Sequence, residues 1–311
     1  MISTKAGKVV KGLGGLYNVR VSEGGEVIIY TSRAKGSLHK DEEKIKIGDN
    51  VTLTIDDETP DGIIISEIAE RKNSLIRPPM ANLDHLFIVF AAKKPTPVLE
   101  VIDKLIAIAI HNGITPIVIV TKNDLSDSAE EYADIYRSVG IETFVTSSET
   151  GDGVDLVKEY INNNIKEGKT AAFAGASGVG KSTLLNAIFP SLSLSTSEIS
   201  RKIERGRHTT RHVELFDIGE GESVGFLADT PGFSLVDFAR FDFFDVEDLP
   251  RTFPDVIRYS SGCLYADCAH VGEGAGECAV ARAMEEGKIA KTRLESYRSI
   301  YRILKEKKNK F

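Results

Sequence analysis

Short apolar runs separated by turn residues fill the first 72 positions. Residues 17–21, 27–30, 51–55 and 62–65 alternate with Gly, Asp and Glu, as short strands of an all-β unit do. Some five strands in that length suit a small barrel, with an OB-fold as one option. The pattern then changes. Residues 86–92 and 116–120 are continuous apolar runs, typical of strands buried on both faces. Residues 98–112 between them read as a helix stopped by Gly113. Residues 143–146, 170–174 and 224–228 are further strand candidates. Strands alternating with helices predict a parallel sheet that binds ligands at its strand C-terminal ends. Arg77-Pro78-Pro79 marks the junction between the two patterns, because consecutive prolines halt regular structure. Strand patterns end near Val236, and residues 289–307 predict a helix with Leu294, Tyr297, Tyr301 and Leu304 as its apolar stripe.

Chemistry concentrates at the predicted strand ends. Gly175, Ala176, Ser177, Gly178, Val179, Gly180, Lys181 and Ser182 form a GxxxxGKS loop. An apolar strand precedes it and a helix, running from Lys181 through Thr183 to about Phe189, follows, which is the context a phosphate-binding loop requires. The glycines allow the backbone to wrap phosphate, and the helix start adds its positive end. Lys181 is expected to reach the β- and γ-phosphates and to act in catalysis, and Ser182 to bind Mg²⁺. Asp229-Thr230-Pro231-Gly232 follows a strand. Asp229 is expected to hold Mg²⁺ through water, and the Gly232 N–H to meet the γ-phosphate. Between them lies Arg205-Gly-Arg-His-Thr-Thr-Arg-His212. Thr209 and Thr210 are both candidates to close on Mg²⁺ and the γ-phosphate in a loop ordered by GTP.

Thr121-Lys122-Asn123-Asp124 selects the base. A carboxylate at Asp124 accepts from N1–H and N2–H₂ of guanine, a donor pair that adenine lacks. The Lys122 stem lies along the base, and Thr121 stands where small GTPases usually carry Asn. Thr146, Ser147 and Ser148 suit the loop on the far side of the guanine. This base segment precedes the phosphate loop, so the usual order of a GTPase is cut and rejoined. Phe233 occupies the position of the water-orienting Gln of Ras-type enzymes. Hydrolysis is then slow or assisted, with His208 as the candidate assistant and a phosphate contact as its alternative role.

All three cysteines fall in one stretch. Cys263, Cys268, His270 and Cys278 give C-x₄-C-x-H-x₇-C, a thiolate–imidazole set suited to a closed, structural tetrahedral Zn²⁺ site. The surrounding segment is poor in apolar residues, so metal binding contributes to its folding. An odd cysteine count argues against a disulfide framework.

The chain of 311 residues is 41% hydrophobic with net charge −7, which suits a globular protein. No run approaches a membrane span and the start lacks a secretory apolar core, so a cytosolic location without membrane attachment is expected. The net charge disfavours nucleic acid, but residues 281–311 carry ten Lys and Arg against Glu285, Glu286, Glu295 and Glu306. Local basic surface is what attracts phosphate. Arg20, Arg33, Lys35, His39 and Lys40 could line a second such face on the barrel.

This order of barrel, guanine segment, phosphate loop and Cys-Cys-His-Cys module resembles the circularly permuted ribosome-biogenesis GTPases of the RsgA type. The resemblance rests on Thr121–Asp124, Gly175–Ser182, Arg207-His-Thr-Thr210, Asp229–Phe233 and the cysteine cluster, and it spans essentially the whole chain. It implies a multidomain fold: an OB-fold barrel over residues 1–72, a circularly permuted α/β P-loop GTPase domain over 73–236, and a mostly helical zinc-binding domain over 237–311. It also implies late binding to the small ribosomal subunit and its rRNA, GTP hydrolysis to GDP stimulated by that subunit, and a hydrophobic residue and a loop histidine matching Phe233 and His208. The seven-residue gap between His270 and Cys278 is longer than the family's. Nothing suggests an obligate oligomer, so a monomer is expected. The permutation sends the strand bearing Asp229 towards the zinc domain, which is expected to carry switch motion to that domain and its RNA contact. A GTP-gated RNA-binding module with negligible turnover and an ATP-driven enzyme are the competing readings; Phe233 permits the first and Asp124 opposes the second.

Overall fold

The computed structural model describes residues 2–36, 44–56, 58–59, 62–190, 213–219, 224–229 and 237–309. Thirteen strands fall within them: β1 (Ile2–Leu13), β2 (Leu16–Glu23), β3 (Glu26–Ala34), β4 (Asn50–Asp56), β5 (Ile63–Ile68), β6 (Ser74–Leu75), β7 (Met80–Ala81), β8 (His85–Ala91), β9 (Thr115–Thr121), β10 (Glu142–Val145), β11 (Thr170–Ala174), β12 (Glu214–Ile218) and β13 (Gly225–Asp229). The described helices are α1 (Leu99–His111), α2 (Ala129–Arg137), α3 (Val154–Asn164), α4 (Lys181–Ile188), α5 (Pro254–Ser260), α6 (Ala279–Glu285) and α7 (Lys291–Lys308), with short 3₁₀ turns at Asn123–Leu125 and Leu249–Thr252. Among the described residues no helix is long and apolar enough to cross a membrane. The chain divides into two compact units, residues 1–85, 157–173 and 189–233 forming one, and 86–156, 174–188 and 234–311 the other.

In the first unit, β1 to β5 close into a barrel. The strands run in the order β1-β2-β3-β5-β4, and β4 returns to pair with β1 from Ile2↔Asp56 to Lys8↔Asn50. All pairings are antiparallel except β3–β5. This is the closed five-stranded topology of an OB-fold, and closure leaves no free sheet edge. The period-2 alternation on β4 buries Val51, Leu53 and Ile55. With Val9, Val19, Val21 and Ile65 they fill the interior, each buried aliphatic contributing about 1.5–3 kcal/mol. The Pro78-Pro79 segment turns between β6 and β7, which pair antiparallel. Met80 is fully buried and bridges Ile47, and the Ala81 amide donates to the Ile47 carbonyl. The prolines therefore stop one strand and start another against the barrel.

The same unit holds β13 between a parallel neighbour, β11, and an antiparallel one, β12. Strand β1 also pairs with β12 at Lys11↔Glu214. Arg20, on the outer face of β2, is thereby covered. Its Nε donates to Asp217 at 2.8 Å and its guanidinium lies 5.4 Å from the Phe226 ring centroid. At 8% exposure Arg20 is not available to nucleic acid, which corrects the expectation for that residue. Arg33 and Lys35 are exposed, and His39 and Lys40 lie outside the described residues.

In the second unit, β9 lies between β8 and β10, with β9 and β10 parallel. Every residue of β8 is buried, as are Ile117–Thr121 of β9, matching the continuous apolar runs of a sheet covered on both faces. Helix α7 starts two residues later than its sequence pattern suggests. Leu294, Tyr297, Ile300 and Leu304 form its buried stripe, and Tyr301 is only half-buried.

Candidate nucleotide site and metal centre

The loop from Gly175 to Gly180 joins β11 to α4 and needs its glycines sterically. Gly175 has φ +145, and a Cβ there would stand 2.0 Å from the Val89 carbonyl oxygen. Gly178 and Gly180 have φ +78 and +98, a region L-residues with side chains rarely occupy. Val179 is buried beneath the loop, while Ala176, Ser177 and Gly178 are exposed above it. Lys181 folds back, its ammonium donating to the carbonyls of Gly175 at 2.7 Å and Ala176 at 2.8 Å. Ser182, half-buried, and Thr183, exposed, sit in the first turn of α4, where free N–H groups and the helix dipole favour an anion.

Thr121 ends β9 and is 3% exposed. Its hydroxyl donates to the Val179 carbonyl at 2.5 Å and lies 3.2 Å from the Phe90 carbonyl. Lys122 adopts φ +58, which aims its ammonium at the carbonyls of Gly178, 2.6 Å away, and Lys94, 2.5 Å away. Lys94 itself has φ +53; such strain in residues other than glycine concentrates at functional sites. Asn123 donates to the Asp152 carboxylate at 2.5 Å, and its amide to the Thr146 carbonyl. Ser147, fully buried, caps the adjacent turn: its hydroxyl accepts the amides of Glu149 and Thr150, and its own amide donates to the Asp152 carbonyl. Ser148 is half-buried beside it, and Asp124 is exposed in the 3₁₀ turn. The base segment, the turn at 146–152 and the phosphate loop thus meet, although 58 residues separate Thr121 from Val179.

Two participants carry no sequence motif, the Lys94 carbonyl and the Asp152 carboxylate. The Gly151-Asp152-Gly153 turn is the signal that could have found the second. The β13 strand places Asp229 at its end. Its side chain, Thr230, Pro231, Gly232 and Phe233, and the whole of Arg205–His212 with His208, Thr209 and Thr210, lie outside the described residues.

The four metal candidates converge. The ligand atoms of Cys263, Cys268, His270 and Cys278 lie within 4.8 Å of one another. His270 Nδ1 stands 3.6, 3.4 and 3.5 Å from the sulfurs of Cys263, Cys268 and Cys278, and the Cys263 and Cys278 sulfurs are 3.9 Å apart. A tetrahedral ion with bonds of about 2.3 Å to sulfur and 2.0–2.1 Å to nitrogen requires edges of roughly 3.6 and 3.8 Å, so the cluster fits a closed four-coordinate ion. Burial and the neighbouring Cys278 and Cys263 thiols push the Cys268 thiol up to about 12, and burial lowers His270, keeping its ring neutral for ligation. A dication reverses the cost of gathering thiolates.

The supports of this centre come from helices. Cys263 follows α5, and Cys278 caps α6, its sulfur accepting the Ala281 amide. The seven-residue gap between His270 and Cys278 closes on itself, with Cys278 and Glu277 amides donating to the Gly274 carbonyl and the Glu273 carboxylate accepting the amides of Val271 and Gly272. From α7, the Tyr297 hydroxyl donates to the Ala269 carbonyl at 3.3 Å and Arg298 Nε to that of His270 at 2.9 Å.

Family models match the region of the nucleotide site and the N-terminal barrel. The RsgA GTPase model covers residues 68–239, more than half of the chain, and the RsgA N-terminal domain model covers residues 6–64. The chain belongs to the RsgA GTPase family. It is 37% identical over 310 residues to the small ribosomal subunit biogenesis GTPase RsgA of Bacillus cereus, covering 98% of this chain and 99% of that one. It is 39% identical, with the same coverage, to a protein of that description from Listeria monocytogenes. Among solved structures it is similar to YloQ, a circularly permuted GTPase, with TM-score 0.74, 33% identity and 98% and 96% of the two chains covered. YjeQ from Thermotoga maritima aligns with TM-score 0.76, 32% identity and 97% and 99% coverage. Family membership makes the chain a GTPase and accounts for its motif order, with base segment first and phosphate loop second.

Proposed function

We propose that this chain is a GTP-hydrolysing assembly factor of the small ribosomal subunit, acting late, stimulated by that subunit and bound to its rRNA. The observation that carries the reading is the tie from Thr121 and Lys122 to Val179 and Gly178, which sets a guanine-reading segment beside a phosphate loop. In this reading Asp124 pairs with guanine, the Lys122 stem lies along it, and Asn123, Ser147 and Ser148 shape the far wall. The loop from Gly175 to Ser182 cradles the phosphates, with Lys181 on the β- and γ-oxygens. Ser182, Thr210 and Asp229 would hold Mg²⁺, which would supply neutralisation of phosphate charge. Thr209 and Gly232 close on the γ-phosphate, and His208 assists the water. The S₃N geometry supports Zn²⁺ as the structural ion.

Exposed Lys291, Arg302, Lys305 and Lys308 on α7, with Arg33 and Lys35 on the barrel, support the rRNA contacts. Arg293 is excluded from that surface, since it is 1% exposed. The protein works as a cytoplasmic monomer. Competition against labelled GDP tests the base reading: GTP is expected to displace it and ATP to fail, and equal displacement by ATP would refute it. Co-sedimentation with small subunits tests the partner: retention with a non-hydrolysable GTP analogue and release with GDP are expected, and no retention in either state contradicts it.

A further inference from the structure

Arg293 belongs by sequence to the basic C-terminal stretch, yet it is among the most buried side chains of the described residues. Its Nε and one terminal nitrogen bond both oxygens of Asp255 at 3.1 and 2.9 Å, and its other terminal nitrogen bonds Asp103 at 2.6 Å. Asp103 lies on α1, Asp255 on α5 and Arg293 on α7, and all three are buried. The guanidinium also lies 4.6 Å from the Phe253 ring centroid and 6.0 Å from that of Tyr136 on α2.

A buried ion network is weak evidence for stability, because apolar groups of the same volume often serve as well; what it does offer is orientation. The orientation here leads to the base segment. Tyr136, fully buried, meets the Phe90 ring edge-on at 6.2 Å, and the Phe90 carbonyl lies 3.2 Å from the Thr121 hydroxyl. Helix α2 begins four residues after Leu125, the end of the 3₁₀ turn that presents Asp124. Helix α1 leads by a short turn into β9, which ends at Thr121. Arg293 therefore touches the two helices on either side of the strand and turn that carry Thr121–Asp124.

We infer that Arg293 is a positioning residue for the guanine pocket: the C-terminal helix uses its buried guanidinium to fix the angle of α1 and α2, and so the placement of Asp124. The inference rests on reading Thr121–Asp124 as the guanine segment. It predicts that loosening Arg293 weakens recognition of the base and leaves the phosphate loop intact, a coupling of the size usual between linked sites.

The test uses the full chain, with GDP and ADP each competing against labelled GDP. Replacing Arg293 alone strands two buried carboxylates, so the informative variant is the neutral triple Arg293→Met, Asp103→Asn, Asp255→Asn, with Arg293→Lys beside it. Circular dichroism and thermal melting establish that each is folded. The triple variant is expected to lose preference for GDP over ADP by about tenfold with ADP affinity unchanged, and Arg293→Lys to fall between it and the parent. A folded variant with the parent's GDP/ADP ratio, or one that loses both nucleotides equally, would overturn the inference. A parent chain that does not prefer GDP to ADP would instead overturn the guanine reading on which it rests.

Discussion

The hydroxyl of Thr121 donates to the carbonyl oxygen of Val179 across 2.5 Å, joining the end of β9 to the middle of the phosphate loop. Small GTPases usually carry Asn at the position of Thr121; in this chain the Thr121 hydroxyl makes the tie. Thr121→Val keeps the shape and removes the donor, leaving a buried carbonyl unpaired at a cost of about 1–3 kcal/mol. GDP affinity is expected to fall roughly tenfold on that scale, while Thr121→Ser retains it. Titration calorimetry on both variants checks the pair.

The motifs defined by spacing are legible in the amino-acid sequence. Gly175–Ser182, Thr121–Asp124 and the Cys-Cys-His-Cys set each state a local geometry, and the described members of each come together as spacing requires. Other elements lack such marks. Strand β1 runs through Lys5, Gly7, Lys8, Lys11 and Gly12, too polar to read as a strand, and its pairings with β2, β4 and β12 define it. Strand β12, Glu-Leu-Phe-Asp-Ile, is five residues long and needs β13 and β1 to define it. Arg20 and Arg293 depart from their sequence expectation for one reason. Counting charge along a chain cannot see that Asp217 covers the one and that Asp103 and Asp255 enclose the other.

Asp124 is exposed in its turn, open to the guanine that the proposed function assigns to it. Asp124→Asn swaps an acceptor for a donor opposite guanine N2–H₂. GTP selection is expected to drop by orders of magnitude, as when a buried polar site loses its match, about 10⁴-fold at the limit. Xanthine, which carries a carbonyl at that position, should gain. Competition with xanthosine diphosphate measures the exchange.

Gly175 leaves no room for a side chain, since its Cβ would meet the Val89 carbonyl at 2.0 Å. Gly175→Ala is expected to displace the loop and abolish nucleotide binding. Retained GDP affinity within about threefold, less than 1 kcal/mol, would contradict the loop geometry.

Burial and the nearby Lys72 push the Lys8 ammonium down to about 8, against an ordinary value near 10.5. Its Nζ lies 5.2 Å from the Phe226 ring centroid, and Asp84 and Asp49 oppose the shift. The unfolded chain then holds more protons between pH 8 and 10.5, so this group adds stability as pH rises through that window and imposes its full cost below it. Lys8→Met should be more stable at pH 7 by about 1–3 kcal/mol and should lack that rise. Parallel denaturant titrations of the two chains from pH 7 to 10.5 give the difference.

The cysteine cluster should bind one Zn²⁺ per chain, read by elemental analysis. Ligation requires thiolates, so affinity falls as pH falls. Cys278→Ala removes a buried ligand that also caps α6, and is expected to release the metal and unfold residues around the cluster. Zinc retained at full stoichiometry would contradict the four-ligand assignment.

The most direct measurement is GTP turnover by the purified chain alone, with small ribosomal subunits, and with large subunits. A low rate on its own, raised by small subunits and not by large ones, is the predicted result. A rate unchanged by small subunits would contradict the account, and would leave the chain as a guanine-nucleotide-gated binding module.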